Sequence, residues 1–348
     1  MLGDSWVAYH LYYHEDLDRA VHGFVLPLVT SLFEDDRIDR FFFIRYKLGG
    51  PHIRLRLRVM PGRMEEVELA VRRQAQRFLT LHPSRKSPAP EILLKTTQSM
   101  IARDPSETDA TIYPDNTLRS ASFQAEVERY GGPGLIGSSI DFFAVSSVGA
   151  LLFLSRNRDR PRTLQLGAAL RLLLCQALGF AADEDELAAL LGYGEDNGAA
   201  SNPAIVAKGD RVFEKRPETF HAMFREEVRA LENSGLSEAP ELPLLGAAAL
   251  ALSQSLGRDT GLRRRIGSSQ LHMTANRLGL LNPEEVYLGR MLTRTYRELR
   301  KADPELWKDL RELLRERSRP SDVLPVLDPP LLRRALGEVV SRYGGEQE

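Results

Sequence analysis

Four short islands of this sequence carry residue types that can do chemistry: Ile44-Arg45-Tyr46, His52–Arg58, Glu128–Gly132 and Leu271–Leu280. In LHMTANRLGL, His272 and Asn276 are spaced so that a helix puts them on one face, with Met273 and Arg277 on a neighbouring one. A histidine there can serve as general acid or base near neutral pH, and Asn276 can orient it or a substrate amide. The plainer role is a packing histidine bonded to backbone. In ERYGG, the glycine pair Gly131-Gly132 permits a tight turn after Arg129 and Tyr130. Tyr130 can donate its phenolic proton to a carbonyl or simply pack. Arg129 can bind a leaving carboxylate or pair with Glu126 or Glu128.

HIRLRLRV alternates strictly, with Ile53, Leu55, Leu57 and Val59 on one side and Arg54, Arg56 and Arg58 on the other. That is the period-two pattern of a half-buried strand. Together with Arg45 and His52, these arginines can form a groove for carboxylates or phosphates, which planar guanidinium groups suit. A solvated strand face is the alternative. Ser146-Ser147 lies in DFFAVSSVGALLFL, an apolar helix in which serines usually bond back to the helix rather than react.

Other chemistries find no motif. GGPGLIG lacks the lysine of a phosphate loop and the spacing of a dinucleotide fingerprint, and no nucleophile elbow or His-Glu-x-x-His pattern occurs. The one cysteine, Cys175, sits in LRLLLCQALGF and suits core packing; it can form no internal disulfide and belongs to no metal cluster. Neither a metal nor an organic cofactor is implied. A net charge of −1 over 348 residues excludes the basic field that drives nonspecific nucleic-acid binding. The N-terminus does not read as a signal peptide, and no uninterrupted apolar run reaches membrane-spanning length, so a cytoplasmic protein is expected.

The elements that must position these islands follow from periodicity. Trp6–Tyr13 reads as a strand and Asp16–Phe33 as a helix with an awkward interior Pro27. Strands are expected at Arg40–Tyr46 and His52–Val59, joined by a Gly-Gly-Pro turn, and a helix at Met64–Leu81. This order predicts an α+β fold whose early sheet is a ferredoxin-like split βαβ. Its fourth strand is expected at Glu91–Thr96 or Ser122–Tyr130. A large helical layer follows, with helices at 135–155, 163–179, 183–191, 217–231, 242–256, 266–277, 283–300 and 305–316. The whole chain is expected to be a single domain, sheet-rich over about 1–133 and helical over about 134–348. A second RYGG, Arg342–Gly345, reads as the stop of a terminal helix.

Taken in order, FFIRYxxxGPHIRLRLR, ERYGG and LHMTANRLG resemble the lantibiotic dehydratase C-terminal family, also called thiopeptide-type bacteriocin biosynthesis proteins. The resemblance runs from Trp6 to about Arg300, and the first and last motifs together are fairly specific for the family. It implies action on a ribosomally made precursor peptide, leader and core, and possible partnership with dehydratase proteins. No nucleic-acid or membrane partner is implied. One activity in the family is removal of glutamate from glutamylated Ser or Thr. That role would carry leaving-group recognition onto Arg54 or Arg56 and Arg129, with His272 in proton transfer. Another is pyridine synthesis, a formal aza-[4+2] cycloaddition of two dehydroalanines followed by loss of water and leader. For that reaction Tyr130, His272 or an arginine can polarise the amide that becomes the aza-diene. Arg45, His52, Arg54, Arg56, Arg58, Arg277 and Ser146 then line the substrate or leader. Where elimination domains often carry a second histidine and a middle-helix acid, this chain has Thr274 and Ser146, and HMTANRLG is closer to the pyridine synthase version. A non-catalytic peptide-binding scaffold for a partner dehydratase is the remaining alternative.

Overall fold

A computed structural model of the chain describes residues 5–104, 107–198, 202–233, 241–317 and 333–337. They fall into two units, Met1–Ala125 with Pro329–Glu348, and Glu126–Asp328.

In the first unit, β1 (Trp6–Tyr12) leads into α1 (Leu17–Ala20), which Asp16 caps by accepting from the Asp18 amide. The helix then widens into a π turn over Val21–Val25 and continues as α2 (Leu26–Glu34). Pro27 explains the interruption. It has no N–H to give the Gly23 carbonyl one turn back, and the Leu26 amide reaches Val21 instead. The side chain of Gln74 donates to the Gly23 carbonyl at 2.9 Å, replacing the missing bond. Gln74→Ala is therefore expected to cost roughly 1–2 kcal/mol, read as a lower urea midpoint.

β2 (Ile38–Tyr46) and β3 (His52–Val59) form the expected hairpin, and Gly49 and Gly50 turn it with φ of +73° and +119°. A side chain on Gly50 would run into the His14 ring, so the turn needs glycine for space as well as for backbone. α3 (Met64–Leu81) buries Val67, Val71, Ala75 and Phe78 at helical spacing. α4 (Pro90–Arg103) precedes β4 (Thr117–Ala121). The sheet order is β2-β3-β1-β4 with every neighbour antiparallel, the ferredoxin-like split βαβ arrangement.

Neither expected position of the fourth strand holds. Residues 91–96 lie in α4, where Pro90 starts a helix and Leu93 and Thr97 bury one turn apart. Residues 122–130 form turns instead: the Tyr130 amide donates to Glu126, the Gly132 amide to Val127, and both glycines have φ near +90°. The strand is TLRSA, too short for its alternation to stand out, and its partner β1 defines it through Tyr9↔Ser120 and Leu11↔Leu118.

The second unit is helical. α5 (Ile136–Asn157), α6 (Arg162–Phe180) and α7 (Glu184–Gly198) are followed by α8 (Pro203–Lys215), α9 (Pro217–Asn233) and α10 (Glu241–Ser255). α11 (Thr260–Arg277), α12 (Asn282–Ala302) and α13 (Pro304–Arg317) complete it. The eight helices expected from periodicity are present; α4 and α8 are additional, α4 standing where residues 91–96 were expected as a strand. α5 and α6 are long and apolar enough by composition to cross a membrane, contrary to the expectation above. Their apolar windows are 83% and 61% buried inside the protein, as core helices are. Cys175 is buried in α6 and its thiol, pushed up to about 12 by burial, donates to the Leu242 carbonyl. The second RYGG lies outside the described residues.

Candidate functional site

Functional side chains gather in each unit. In the first, strand register decides which residues share a face. Tyr12 lies opposite His52, His10 opposite Arg54 and Arg119, Ala8 opposite Arg56, and Trp6 opposite Arg58. On the other flank Tyr46, Ile44, Phe42 and Arg40 match His52, Arg54, Arg56 and Arg58. One face therefore carries His52, Arg54, Arg56 and Arg58 as the alternation predicted, while Ile53, Leu55, Leu57 and Val59 are buried on the opposite one. Arg45 does not join them. It lies opposite Ile53 in the register, on the leucine face, and pairs with Asp18 at 2.6 Å.

The arginines are not equivalent. Arg58 clamps Asp39 with two hydrogen bonds of 2.6 and 2.5 Å. Arg54 stacks 3.6 Å above the Tyr46 ring and pairs with Glu107 at 3.1 Å, which also accepts from the Tyr46 hydroxyl. Arg56 is 8% exposed and donates to the Leu55 carbonyl and to His10 Nε2. Burial, with Arg54 adding to it, lowers its pKa to about 10. It forms no ion pair with a described residue. His10, which sequence reading passed over, and His52 stack at 4.9 Å, and Tyr12 stacks on His52 at 4.5 Å. His52 donates through Nδ1 to the Gly50 carbonyl and accepts at Nε2 from Arg54, which holds it neutral.

Burial and then the neighbouring charges push His10 down to about 2; burial foremost pushes His52 down to about 3. Both folded values lie below the unfolded one near 6.5. The unfolded chain therefore takes up protons that the folded chain refuses, and stability present above about pH 6.5 is lost as pH falls. At about pH 5 the loss should reach up to about 2 kcal/mol per histidine. A urea midpoint that falls between about pH 7.5 and 5, and falls less in His10→Gln, checks this; glutamine keeps an acceptor for Arg56.

In the second unit, the turn at 126–135 and helix α11 bring two of the sequence islands together. The Tyr130 hydroxyl lies 3.1 Å from Ser269 Oγ, and Arg129 donates to the same oxygen at 3.4 Å while pairing with Glu126 at 2.8 Å. Tyr130 packs edge-on against Phe143 at 5.1 Å, and burial raises its pKa. Arg277, fully buried, stands 5.1 Å over the same phenylalanine, and burial lowers its pKa to about 9.

One turn along α11 from Ser269, His272 Nδ1 bonds Glu285 at 2.9 Å. That bond raises the histidine's pKa against the opposing effect of burial, and Arg129 is near enough to lower it slightly. Glu285 is 6% exposed and lies close to Tyr193, a buried phenol raised well above its usual value by burial and this carboxylate. Glu285 thus fixes the imidazole through Nδ1 and leaves Nε2 to exchange protons, the carboxylate–histidine arrangement of general acid–base catalysis. Asn276 follows His272 on the same helical face, half-buried. Ser146 is fully buried, with its hydroxyl donating to the Phe143 carbonyl at 3.2 Å, and Ser147 does the same at 2.8 Å.

Sequence reading missed Ser269, Glu285 and Tyr193. Helical spacing from His272 could have found Ser269. Glu285 lies past the Gly279 turn in the next helix, and no local pattern pairs it with His272.

Known proteins share this organisation. The family model described as lantibiotic biosynthesis dehydratase C-term matches residues 6–296. The pyridine synthase TbtD from thiomuracin biosynthesis superposes with a TM-score of 0.68 at 16% identity, over 86% of this chain and 100% of that one. TsrL superposes at 0.56 and 18% identity, over 91% of this chain and 99% of that one. The tRNA-dependent lantibiotic dehydratase MibB from Microbispora sp. 107891 superposes at 0.52 and 18% identity, over 86% of this chain and 29% of that longer one. No curated protein sequence matches.

Proposed function

Because the chain belongs to the lantibiotic biosynthesis dehydratase C-terminal family, we propose that it is a thiopeptide-type pyridine synthase acting on a modified precursor peptide. The observation carrying this reading is the acid–base inventory of α11. A single carboxylate-oriented histidine, His272, lies one turn along α11 from Ser269, whose hydroxyl is 3.1 Å from that of Tyr130. The positions where the family's elimination domains often add an acid–base group hold Thr274 and Ser146, both fully buried. The pyridine synthase TbtD also superposes over most of the chain.

The reaction joins two dehydroalanines. One backbone amide shifts its N–H proton to oxygen, becoming an imidic acid whose C=N conjugates with the neighbouring methylene as an aza-diene. Two new bonds to the second dehydroalanine close a six-membered ring. Water then leaves from the former amide carbon, and the leader leaves as its amide from the dienophile's α-carbon, giving a pyridine. Holding the two alkenes in attack geometry is chiefly a positional contribution. His272 moves the proton between amide nitrogen and oxygen, and later protonates the departing groups. Tyr130, supported by Ser269 and Arg129, donates a hydrogen bond to the reacting carbonyl. Asn276 orients the peptide. The Arg54–Arg56–Arg58 face receives the acidic leader, an interaction that weakens with salt, while His52, expected to line the leader, is fully buried and neutral and instead braces Arg54. The setting is the cytoplasm, where the precursor and its dehydratase partners are made.

Mass spectrometry tests the reading. A linear peptide with two dehydroalanines, incubated with the protein, should yield a free leader amide and a macrocycle lighter by leader and water. Loss of glutamate from a glutamylated peptide would overturn it in favour of elimination. If neither product forms while the protein still supports a partner dehydratase, the scaffold alternative replaces it.

A further inference from the structure

Strand β4 ends the sheet. It pairs only with β1, and no other backbone among the described residues bonds its outer edge. Such an edge presents a row of unsatisfied amides and carbonyls to any extended chain. Beside it, between α3 and β4, lies a groove of about 430 Å³. Ala75, Leu79 and Leu118 form its apolar part, and Arg72, Gln76 and Asn116 edge it. Leu118 lies opposite Leu11 in the register, so the groove is on the helix-covered side of the sheet, while Arg119 alternates to the other side.

Charge distinguishes this place from an ordinary edge. The first half of α3 is acidic, with Glu65, Glu66 and Glu68, and the second half carries Arg72, Arg73 and Arg77. These three arginines and Arg119 are exposed, and none forms an ion pair with a described residue. Arg119 rests instead over the Tyr113 ring at 4.4 Å. In a chain of net charge −1, Arg72 on the groove and Arg119 on the strand itself put two guanidiniums with no carboxylate partner among the described residues at one strand edge.

From the edge unpaired among the described residues, the apolar groove and these arginines, we infer that β4 binds an extended acidic peptide segment as a fifth, added strand. Main-chain bonds to β4 supply affinity, and side-chain alternation supplies selection. Alternate apolar residues of the peptide enter the groove against Leu79 and Leu118. The residues between them face Arg119, and carboxylates at the groove mouth meet Arg72. This rests on the reading above that the chain handles a peptide; it adds where a further acidic segment of that peptide is held, apart from the stretch that the Arg54–Arg56–Arg58 face receives.

The test uses the whole chain and a fluorescein-labelled peptide of about ten residues alternating leucine with glutamate. Anisotropy should show binding that weakens at least about tenfold when salt is raised and when glutamine replaces glutamate. The double reversal Arg72→Glu/Arg119→Glu should cost a similar factor, and N-methylation of alternate peptide amides should abolish binding. Both arginines are exposed, and an unchanged melting curve confirms the fold. Hydrogen exchange should slow at Thr117–Ala121. Slowing at residues 52–58 instead, indifference to N-methylation, or no binding at millimolar peptide would each overturn the inference. Kinetics separates it from the reaction. If the precursor is cyclised but the double reversal leaves KM unchanged, the added strand falls and the pyridine synthase stands. If nothing is cyclised but the probe protects β4, the reverse holds.

Discussion

Replacing His272 with alanine is expected to lower cyclisation of the bis-dehydroalanine precursor by about 10² to 10³-fold in kcat, the usual contribution of a positioned acid–base group. KM should change little if the leader is held elsewhere. A quench-and-mass-spectrometry time course reads both. The effect is large because the amide proton shift and the expulsion of water and leader all need a proton carrier, and α11 offers His272 for each. Glu285 provides a sharper test than deletion. Its carboxylate raises the His272 pKa, foremost through the Nδ1 hydrogen bond. A raised value means that the pair's contribution to stability is complete below the ordinary histidine pKa and is lost as pH rises through the folded one. If His272 first acts as a base, kcat should climb with pH through that raised pKa. Glu285→Gln keeps the shape and removes the charge, so the limb should move to lower pH. A purely structural histidine would leave the pH profile unmoved, and that result would remove His272 from the chemistry.

Gly179→Val should be the most damaging single change to the fold. Here α6 and α10 approach backbone to backbone: a Cβ at position 179 would overlap the Gly246 carbonyl oxygen and lie 2.8 Å from the Ala249 Cβ. Neither obstacle is a flexible side-chain end, so the helices must separate. Overpacking of a close-packed interior costs about 1–3 kcal/mol where neighbours can relax, and more where the obstacle is backbone. We expect a loss of at least about 3 kcal/mol or failure to accumulate folded protein, seen in the urea midpoint or soluble yield. Gly167→Val, in the same helix with open space at its Cβ, is the control and should cost far less.

What could be read in advance divides along physical lines. Periodicity is a local property of burial, so the alternation of HIRLRLRV and the helical repeats of the later chain gave the right elements and the right faces. Serines at 146 and 147 bond back to the helix, as serines in an apolar helix usually do, because that bond depends only on residues one turn away, and its full burial takes Ser146 out of the substrate lining expected for it. The fourth strand could not be read in this way. TLRSA is short and half-exposed, and becomes a strand only because β1 offers an open edge. Arg45 shows the same limit. It has the residue type of its neighbours two strand positions either side of the turn, yet register sends it to the opposite face.

By itself, the sequence determined the α+β class, the arginine face of β3, and the islands Arg129-Tyr130 and His272–Arg277, all written in short-range spacing. The tertiary structure alone decided their partners. It gave Glu285 to His272 and Ser269 to Tyr130, and bound Arg54 and Arg58 to carboxylates while leaving Arg56 buried without one among the described residues. The reason is that a side chain's protonation and reach depend on desolvation and on charges within a few ångströms. Those are set by residues distant in sequence, which only the packed fold brings together.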